Sequence, residues 1–582
     1  EGKHFLDDGN GNYYAVSKFT AGESYHPMIM RDNNINKSSG FNVNGSIYAD
    51  FKPIKDITIT SRFGYRLSGS RSSNTDLPFY GNATQSRDYV SHNASSSTNI
   101  YYQWENFANY MKRFGMHTVT GMVGMSYQES TNDYVNGSLS ANGEDAVKKN
   151  DPLFYFLNYG SASATKGVGG EKTRSAKLSY FGRVGYDFGG RYMLQASLRA
   201  DAADLAMLPS TNRWGYFPAV SAGWSISEEK FFEPLKQHVS SLKLRASWGQ
   251  NGSLAALGGY AYSTDMSLGY IYAFTPGNNY ITGAHPTSMG NDNLKWETSE
   301  QINVGLDARF FNDRLTFSLD YFDKKTKDLL VNGTTPSLII GGTTSPMNAG
   351  NVSNKGWELE LGWRDHIGDF QYSIRGNLAT LKNKVTYLDP SLTRLNGVNF
   401  HTNTITFFEE GYPVYYFRGY KFKGLDENGN PMFHDLDNSG TLNDGDLAYI
   451  GDAIPDFTYG LTLTAAWKGF DLTVFATGSQ GNDIFNCINR SDIPTYNKMK
   501  EVFYDNRWTA ANPNGTVPRA GADNMDKYCV SDALVYDGSF FKIKQIQLGY
   551  SIPKQLLKKV CVNNLRPVSY THLRAHETGR NL

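Results

Sequence analysis

Long, strict alternation of apolar and polar residues is the feature of this sequence that most narrows its fold. In FTYGLTLTAAWK, residues 457–468, every second position is apolar, and the positions between are Thr, Gly, Ala or Lys. Because successive side chains of a strand point to opposite faces, this pattern predicts a strand with one continuously apolar face. About eleven residues at ~3.3 Å each, tilted by ~45°, cover roughly 25 Å, the height of the apolar band of an outer-membrane barrel.

The same alternation recurs along the chain, and elsewhere its polar face carries full charges. It is found in RYMLQASLRAD (191–201), SLKLRASWGQ (241–250) and QINVGLDARF (301–310). A soluble sandwich also alternates, but its strands typically run about 5–6 residues. We therefore predict an all-β chain with about fifteen longer strands, forming a large antiparallel transmembrane β-barrel of the outer-membrane type.

The connections between these strands are of two kinds. Short turns follow Asp187, Arg309, Arg364 and Ala466, whereas long connections span residues 68–97, 129–174, 251–298, 331–352, 384–456 and 481–539. Short turns on one side and long loops on the other are typical of outer-membrane barrels. One connection on the short side is longer, SISEEKFFEPLKQHVSS (225–241). Its apolar spacing predicts a small helix at the periplasmic rim, with an ordinary loop as the alternative.

Charge and motif content argue against several function classes. The 56 basic and 56 acidic residues balance, which argues against a nucleic-acid partner because such domains are usually basic. The three cysteines have no CxxC spacing. No GxSxG, HExxH or phosphate-loop motif is present, so we expect no enzyme and no required cofactor. No apolar run approaches the ~18 residues of a membrane helix.

The polar faces of the strands are predicted to line the barrel lumen. Glu358 and Glu360 lie two apart on one such face and are interpreted as channel-wall residues, with hydrogen bonding to a sugar as the alternative. Transport is expected to pass a polar wall that includes Lys243, Arg245, Gln301, Asn303, Asp307 and Arg309.

Five segments carry a resemblance to a known family: RWGYFPAVSAGWSISEEKFF (213–232), LKLRASWGQNG (242–252), residues 293–330, GNVSNKGWELEL (350–361) and residues 454–486. In this order they resemble the barrel of SusC/RagA-type TonB-dependent outer-membrane transporters. The resemblance implies a barrel of about 22 strands with a plugged lumen. It also implies location in the outer membrane of a Bacteroidetes-type Gram-negative bacterium and contact with its lipid.

The resemblance further implies partners and substrates. They are a SusD-like surface lipoprotein, the TonB complex acting through an N-terminal part, and an oligosaccharide or a peptide as cargo. Residues 1–566 are then interpreted as a partial barrel lacking a signal sequence, a plug and the first strands. From Pro567 onward the alternation is lost, and residues 567–582 resemble translated adapter sequence. We interpret them as a non-native tail, which leaves the last strand incomplete.

Two other classes share part of the pattern. A passive porin-like or adhesive barrel has the same strands, and a plug domain and TonB box in the complete gene would exclude it. A soluble secreted carbohydrate-binding β-protein shares the alternation and the aromatic content. Extraction from membranes only by detergent would exclude that class.

DLDNSGTLNDGD (435–446) matches the calcium loop of an EF-hand, with Gly440 at its sharp turn. The sequence around it lacks helical periodicity, so a calcium-triggered opening of helices is excluded. Either a divalent cation braces an external loop, or the residues form successive Asx-turns without metal. The predicted ligands are Asp435, Asp437, Ser439, Thr441, Asn443 and Asp446.

Aromatic residues of the long connections are candidates for substrate contact, because sugars stack on aromatic faces. They are densest in residues 267–280 and 409–422. For any single tyrosine, packing of the loops onto each other is the simpler interpretation.

Overall fold

A computed structural model gives the fold of the chain. It describes residues 4–7, 13–16, 28, 31, 33–82, 85–87, 89–140, 155–159, 164–273, 280–332, 343–344, 346–400, 403–487, 504–557 and 562–571.

Most of the described chain is β-strand. The strands are β1 His4–Asp7, β2 Tyr13–Val16, β3 Asn34–Ile54, β4 Ile57–Asp76, β5 Phe79–Asn82, β6 Gln85–Arg87, β7 Ser91–Phe114, β8 His117–Ser140, β9 Thr165–Phe188, β10 Tyr192–Ala203, β11 Trp214–Ser225, β12 Val239–Ser253, β13 Met266–Ala273, β14 Tyr280–Pro286, β15 Ser288–Met289, β16 Glu297–Phe310, β17 Leu315–Asn332, β18 Thr343–Thr344, β19 Pro346–Ile367, β20 Phe370–Thr380, β21 Lys382–Leu388, β22 Leu395–Asn396, β23 Asn399–Phe400, β24 Asn403–Thr404, β25 Thr406–Phe408, β26 Tyr416–Gly419, β27 Phe422–Leu425, β28 Pro431–Phe433, β29 Ala448–Gly451, β30 Phe457–Trp467, β31 Phe470–Gln480, β32 Asp483–Phe485, β33 Val535–Asp537, β34 Phe540–Tyr550 and β35 Val568–Thr571.

Helices are few and short in the described residues. The α-helix α1 spans Met525–Tyr528 and α2 spans Lys554–Leu557. Further described residues in α-helical conformation are Met28, Arg31, Asn33, Tyr504 and Asp505. The 3-10 helices are Leu157–Tyr159, Ile226–Glu228, Lys230–Leu235, Asp444–Asp446 and Asp532–Leu534. None of the helices in the described part of the chain is long and apolar enough to cross a bilayer.

One antiparallel barrel sheet of 17 strands dominates the molecule, which confirms the predicted fold class. Strands that are adjacent in the sheet follow one another in chain order: β3, β4, β7, β8, β9, β10, β11, β12, β16, β17, β19, β20, β30, β31, β34 and β35. The remaining strand, β21, pairs with β19 beyond the part of β19 that pairs with β20, and β20 pairs with β30. This up-and-down order follows from hairpins between consecutive alternating segments.

The two faces of the sheet differ as the alternation predicts. The outward face exposes large aliphatic side chains along its middle, among them Val123, Val184, Leu194 and Val220, which are 48–67% exposed. Their sequence neighbours on the other face are polar, as Gln195 and Ser221 illustrate. Exposed apolar side chains over a whole belt are unfavourable in water and favourable in lipid, so this face fits a bilayer.

Aromatic girdles flank the apolar belt at both ends. At the short-turn end, His117 and Tyr192 pack on Phe188 with ring centroids 4.8 and 6.3 Å apart. At the long-loop end, Tyr321 and Trp357 lie 4.9 Å apart. Aromatic rings collect at the two interfaces of a membrane barrel because they are amphipathic.

The predicted short turns are confirmed, but several long connections are shorter than predicted. The turn at Lys468 and Gly469 joins β30 to β31, and Gly469 has φ +91°, a conformation that favours glycine. Most of the predicted loop 68–97 is strand, and the predicted loop 129–174 begins and ends in strand, because β8 and β9 pair from Ser140 opposite Thr165 to His117 opposite Phe188. Polar strands can continue in water once they have left the bilayer, where apolar alternation is no longer required.

The predicted small helix at the rim is two consecutive 3-10 helices, Ile226–Glu228 and Lys230–Leu235. Pro234 lies inside the second one. Proline removes a backbone donor, which shortens helical runs and favours the tighter 3-10 turns seen here.

The carboxyl end also differs from expectation. Val568–Thr571 pairs with β34, Ile546 opposite Thr571, so the sheet gains a strand within the predicted tail. Pro567 precedes this strand rather than interrupting it, and its carbonyl accepts the Tyr550 N–H at 3.1 Å. Residues 572–582 lie outside the described residues, and the non-native origin of the tail stays a prediction.

The long connections at the other end carry their own small cores. A four-stranded sheet of β22, β25, β26 and β29 lies within residues 395–451. Tyr420, Phe433 and Tyr528 pack together with Leu534, which is 1% exposed. Residues of 504–557 thus support the connection that contains the calcium-like loop.

Candidate functional sites in the lumen wall and the external loops

Arg245 is the centre of a charged cluster on the lumen wall. It lies on β12, and its guanidinium donates from Nε to Asp307 Oδ2 at 2.6 Å and from Nη2 to Asp320 Oδ2 at 2.9 Å. Ser318 donates to Asp307 Oδ1 at 2.8 Å. Three neighbouring strands are therefore linked by one side chain whose planar fork suits two carboxylates.

A shallow polar cavity of about 450 Å³ lies beside this cluster. Its lining combines hydroxyl, amide and charged groups from six strands, including Thr120, Gln195, Ser221, Lys243, Arg245 and Asn303. These hydrogen-bond donors and acceptors can bind polar cargo or a polar segment of protein.

The structure brings together most of the predicted lumen residues. Lys243, Arg245 and Asn303 share this cavity, and Asp307 joins them through Arg245. Gln301 lines a neighbouring polar cavity of about 310 Å³. Arg309 is exposed near the short-turn end, two residues beyond Asp307 on the same face of β16.

Two members of the cluster were not singled out from the sequence. Asp320 and Ser318 lie on β17, and Asp307 is directly opposite Ser318 across the hairpin. The signal was present, because the turn after Arg309 fixes the register and both residues fall on the polar face of LTFSLDYF.

Glu358 and Glu360 extend the acidic side of this wall. They pair with Asp320 and Ser318 across β17 and β19, and both are exposed. Their position fits the interpretation as channel-wall residues.

The calcium-like loop brings its predicted carboxylates together. Carboxylate oxygens of Asp435, Asp437 and Asp446 lie within 4.8 Å of one another. Asp446 is fully buried and accepts the backbone N–H of Leu436 at 2.7 Å and that of Asn443 at 2.9 Å. Gly440 has φ +77°, as the sharp turn at position six requires.

The remaining predicted ligands meet around the Asn443 side chain. Its Nδ2 donates to Asp437 Oδ2 at 2.9 Å, to Ser439 Oγ at 2.9 Å and to the Thr441 carbonyl at 3.1 Å. The hydrogen bond from Asn443, the largest contribution, and those from Ser439 lower the pKa of Asp437 to about 2.

Asx-turns are directly visible in this loop. Ser439 N–H donates to Asp437 Oδ1 at 2.9 Å, and Gly445 N–H donates to Asn443 Oδ1 at 2.6 Å. Both bonds span two residues, as Asx-turns do. The Asx-turns of the second interpretation are therefore present, and they are compatible with a bound ion.

The donor set also fits a hard cation. Carboxylate, hydroxyl and carbonyl oxygens converge on one side of the loop, which is the ligand chemistry of Ca²⁺. A turn of the Asn443 amide by 180° would present its oxygen where its nitrogen now contacts three acceptors. Asp435, Asp437, Ser439, Thr441 and Asn443 would then hold the ion, while Asp446 holds the backbone.

Aromatic residues of the external loops divide into buried and exposed groups. Within the predicted segment 409–422, Tyr416 is 1% exposed, and Phe417 and Tyr420 are also buried, so packing explains them. Tyr412 and Tyr449 are 38% and 39% exposed and stack with Tyr416, at centroid distances of 4.5 and 5.7 Å. We call Tyr412, Tyr416 and Tyr449 the tyrosine stack.

The other predicted aromatic segment, 267–280, lies mostly outside the described side chains. Residues 267–273 of this segment belong to β13, which pairs with β14 from Tyr280 onward. The sequence could not identify Tyr449, because it joins the stack from a strand about thirty residues further along, through pairing of β26 with β29.

Comparison with known proteins decides the family. The model of the TonB dependent receptor-like, beta-barrel family matches residues 2–542. The chain belongs to this family. The match covers the barrel sheet from β3 to β31 and the first residues of β34, and it confirms the resemblance seen in the five sequence segments.

Individual relatives of this receptor barrel are distant. It is 29% identical to TonB-dependent receptor P3 of Formosa agariphila over 79% of this chain and 46% of the relative. It is 28% identical to TonB-dependent receptor SusC of Bacteroides thetaiotaomicron over 80% of this chain and 45% of the relative. The chain therefore spans about half the length of the curated relatives it matches.

Among solved structures, the barrel superposes on that of the RagAB peptide transporter with a TM-score of 0.83. The match has 22% identity and covers 96% of this chain and 61% of the other. At this identity the likeness shows a shared fold.

Proposed function

We propose that the protein of which this barrel is part imports oligosaccharides across the outer membrane, using energy delivered by TonB. The observation that carries the proposal is the tyrosine stack, which presents two exposed rings backed by a buried third at the long-loop end. Flat aromatic surfaces with adjacent polar groups suit sugars, whose C–H faces are apolar and whose edges are hydroxylated.

The wall of the barrel supports the same function. Its lumen face offers hydroxyl, amide and carboxylate groups that can exchange hydrogen bonds with a hydrated cargo. The family and the similarity to SusC support TonB-dependent uptake. A SusD-like surface lipoprotein is the proposed partner at the external mouth, and the outer membrane of a Bacteroidetes-type bacterium the proposed location.

A peptide is the alternative cargo, because the barrel shares its fold with the RagAB peptide transporter. A passive porin or adhesin is a further alternative. The discriminating experiment compares uptake of labelled oligosaccharides and peptides by cells that express the complete gene, with and without TonB. TonB-dependent oligosaccharide uptake supports the proposal, peptide-only uptake supports the alternative cargo, and TonB-independent uptake supports a passive barrel.

We further propose that the Asp435–Asp446 loop binds Ca²⁺ as a structural brace. The convergence of its oxygen ligands supports this role. The ion would order the external connection and take no part in moving the cargo.

A further inference from the structure

The connection between β11 and β12, residues 226–238, lies against the lipid-facing edge of the barrel. Glu229 accepts hydrogen bonds from the Tyr192 hydroxyl and, at 3.1 Å, from Trp224 Nε1, and it pairs with Arg191 at 3.4 Å. Tyr192 and Trp224 lie opposite each other on the outward face, in line with Leu194 and Ala222. We call residues 226–238 the rim segment.

The rim segment is held at both of its ends. Ser225 N–H donates to the Arg191 carbonyl at 2.8 Å, and Phe311 N–H donates to the His238 carbonyl at 2.9 Å. Phe232 is 4% exposed and anchors the middle of the segment. The segment is therefore a fixed part of the rim, and its other side chains have defined positions.

Large apolar side chains of the rim segment remain uncovered. Phe231 is 66% exposed and Leu235 50% exposed. The next turns along the same rim continue the apolar line with Phe311, 48% exposed, and Ile367, 72% exposed. This line borders the aromatic girdle, so it continues a surface that already faces lipid.

Cations accompany these apolar side chains. Lys230 precedes Phe231 and is exposed, and Lys236 follows Leu235 and forms an ion pair at 3.2 Å with Glu233, whose side chain is exposed. The Nε of Arg191 is buried without a hydrogen-bond partner in the described residues. Apolar rings next to basic groups match the boundary of a phospholipid leaflet, with acyl chains on one side and phosphates on the other.

We propose that the rim segment binds the periplasmic leaflet of the outer membrane, with Phe231 and Leu235 in the acyl boundary and Lys230 and Lys236 at anionic phospholipid headgroups. The inference rests on the membrane location in the proposed function. Its role would be to fix the depth and tilt of the barrel at its periplasmic end.

The test measures immersion depth by spin labelling of the complete gene product in nanodiscs, with its native cysteines replaced. Labels are introduced by Phe231→Cys and Leu235→Cys. Glu233→Cys is the matched water-facing control, since that side chain is 71% exposed on the same segment. Val220→Cys is the control within the lipid belt. Accessibility to oxygen and to a water-soluble nickel complex is compared at each site.

Labels at 231 and 235 are expected to favour oxygen, as at 220, whereas the label at 233 favours nickel. Equal nickel access at 231, 235 and 233, with 220 in lipid, would overturn the inference and leave the barrel proposal intact. Nickel access at 220 would overturn the membrane location itself.

The headgroup part of the proposal is tested by lipid composition. Anionic phosphatidylglycerol in the nanodisc is expected to increase immersion at 231 relative to phosphatidylcholine alone. The variant carrying Lys230→Gln and Lys236→Gln should lose that increase. Immersion that does not respond to phosphatidylglycerol would overturn this part, as would protection of 231 from both relaxing agents, which indicates a protein partner.

Discussion

At the residue scale, the positive charge of Arg245 balances two carboxylates on the lumen wall. It compensates Asp307 and Asp320, and the Asp320 side chain is only 16% exposed. Carboxylates brought close together without a cation repel each other and are poorly solvated. A charged residue of the lumen wall can thus serve stability first.

We predict that Arg245→Met lowers the free energy of unfolding by about 1–3 kcal/mol, since it leaves two charged acceptors unpaired. The temperature at which the heat-modifiable gel mobility shifts should fall accordingly, and it is measured for each variant. Arg309→Met is the matched control, because the described residues supply no ion-pair partner for Arg309. Equal shifts in both variants would contradict the central role of Arg245.

The tyrosine stack gives a second prediction at this scale. Replacing both Tyr412 and Tyr449 by alanine removes the exposed rings, so oligosaccharide uptake should fall about tenfold, the loss of roughly 1.4 kcal/mol of contact. The double phenylalanine variant keeps the rings and should retain most uptake. Uptake unchanged in the alanine variant would remove the stack from the cargo path, provided surface expression is equal.

Asp437 makes the loop sensitive to acid. Its pKa in the folded loop is about 2, below its ordinary 3.8. A lowered pKa stabilises the fold above the ordinary value, and that stabilisation is lost as pH falls from about 4 through about 2. The protection of residues 435–446 against hydrogen exchange, corrected for the intrinsic exchange rate at each pH, should fall over this window in the wild type. Asp437→Asn should be less protected already at neutral pH, and its protection should depend less on pH.

At the scale of elements, the Asp435–Asp446 loop illustrates a local motif supported by distant packing. Asp446 holds the loop backbone, and neighbouring strands pack on a core that includes Tyr528 and Leu534. The loop is therefore expected to keep a native-like shape without an ion and to become more rigid with one.

We predict that Ca²⁺ slows proteolytic cleavage within residues 425–452 and leaves the barrel unchanged, whereas a chelator reverses the effect. The variant carrying Asp435→Asn and Asp437→Asn should be insensitive to both. Chelation without any change in cleavage of the wild type would exclude the metal and leave the Asx-turns as the whole explanation.

The long antiparallel pairing of β8 with β9 predicts slow amide exchange along its whole length. Residues 129–140 and 165–174 are hydrogen-bonded in register although they resemble a loop in composition. Their amides should exchange slowly, comparably to residues 118–126 of the same ladder. Rapid exchange confined to 129–140 and 165–174 would contradict the strand extension.

At the scale of the whole molecule, the outward belt and the lumen wall are two sides of one sheet. The lumen side should tolerate an introduced charge, and the lipid side should not. Val220→Arg places a charge on the lipid face and should cost about 2–4 kcal/mol near the bilayer midplane. Ser221→Arg places the same charge toward the lumen and should cost little. Folding into lipid vesicles, followed by denaturant titration, measures both, and equal costs would contradict the assignment of faces.

The sequence was sufficient for the architecture because period-two alternation encodes both strands and faces. It was also sufficient to place Lys243, Arg245, Asn303 and Asp307 on one polar wall, since the alternation fixes which side chains face the lumen. It could not show where β8 and β9 end, because Ser, Thr and Asn suit both a polar strand and a loop. Nor could it assemble Tyr412 with Tyr449, because that contact depends on tertiary pairing between separate strands.

The continuation of β7, β8 and β9 to 24 residues each has a consequence for access at the cell surface. At ~3.3 Å per residue and a tilt of ~40°, such a wall rises roughly 60 Å, of which the hydrocarbon belt takes about 25 Å. We expect the excess to raise this side of the mouth above the membrane surface. We expect the entrance to sample bulk medium directly, which would let a bulky polymer engage it without first penetrating the cell's own carbohydrate coat.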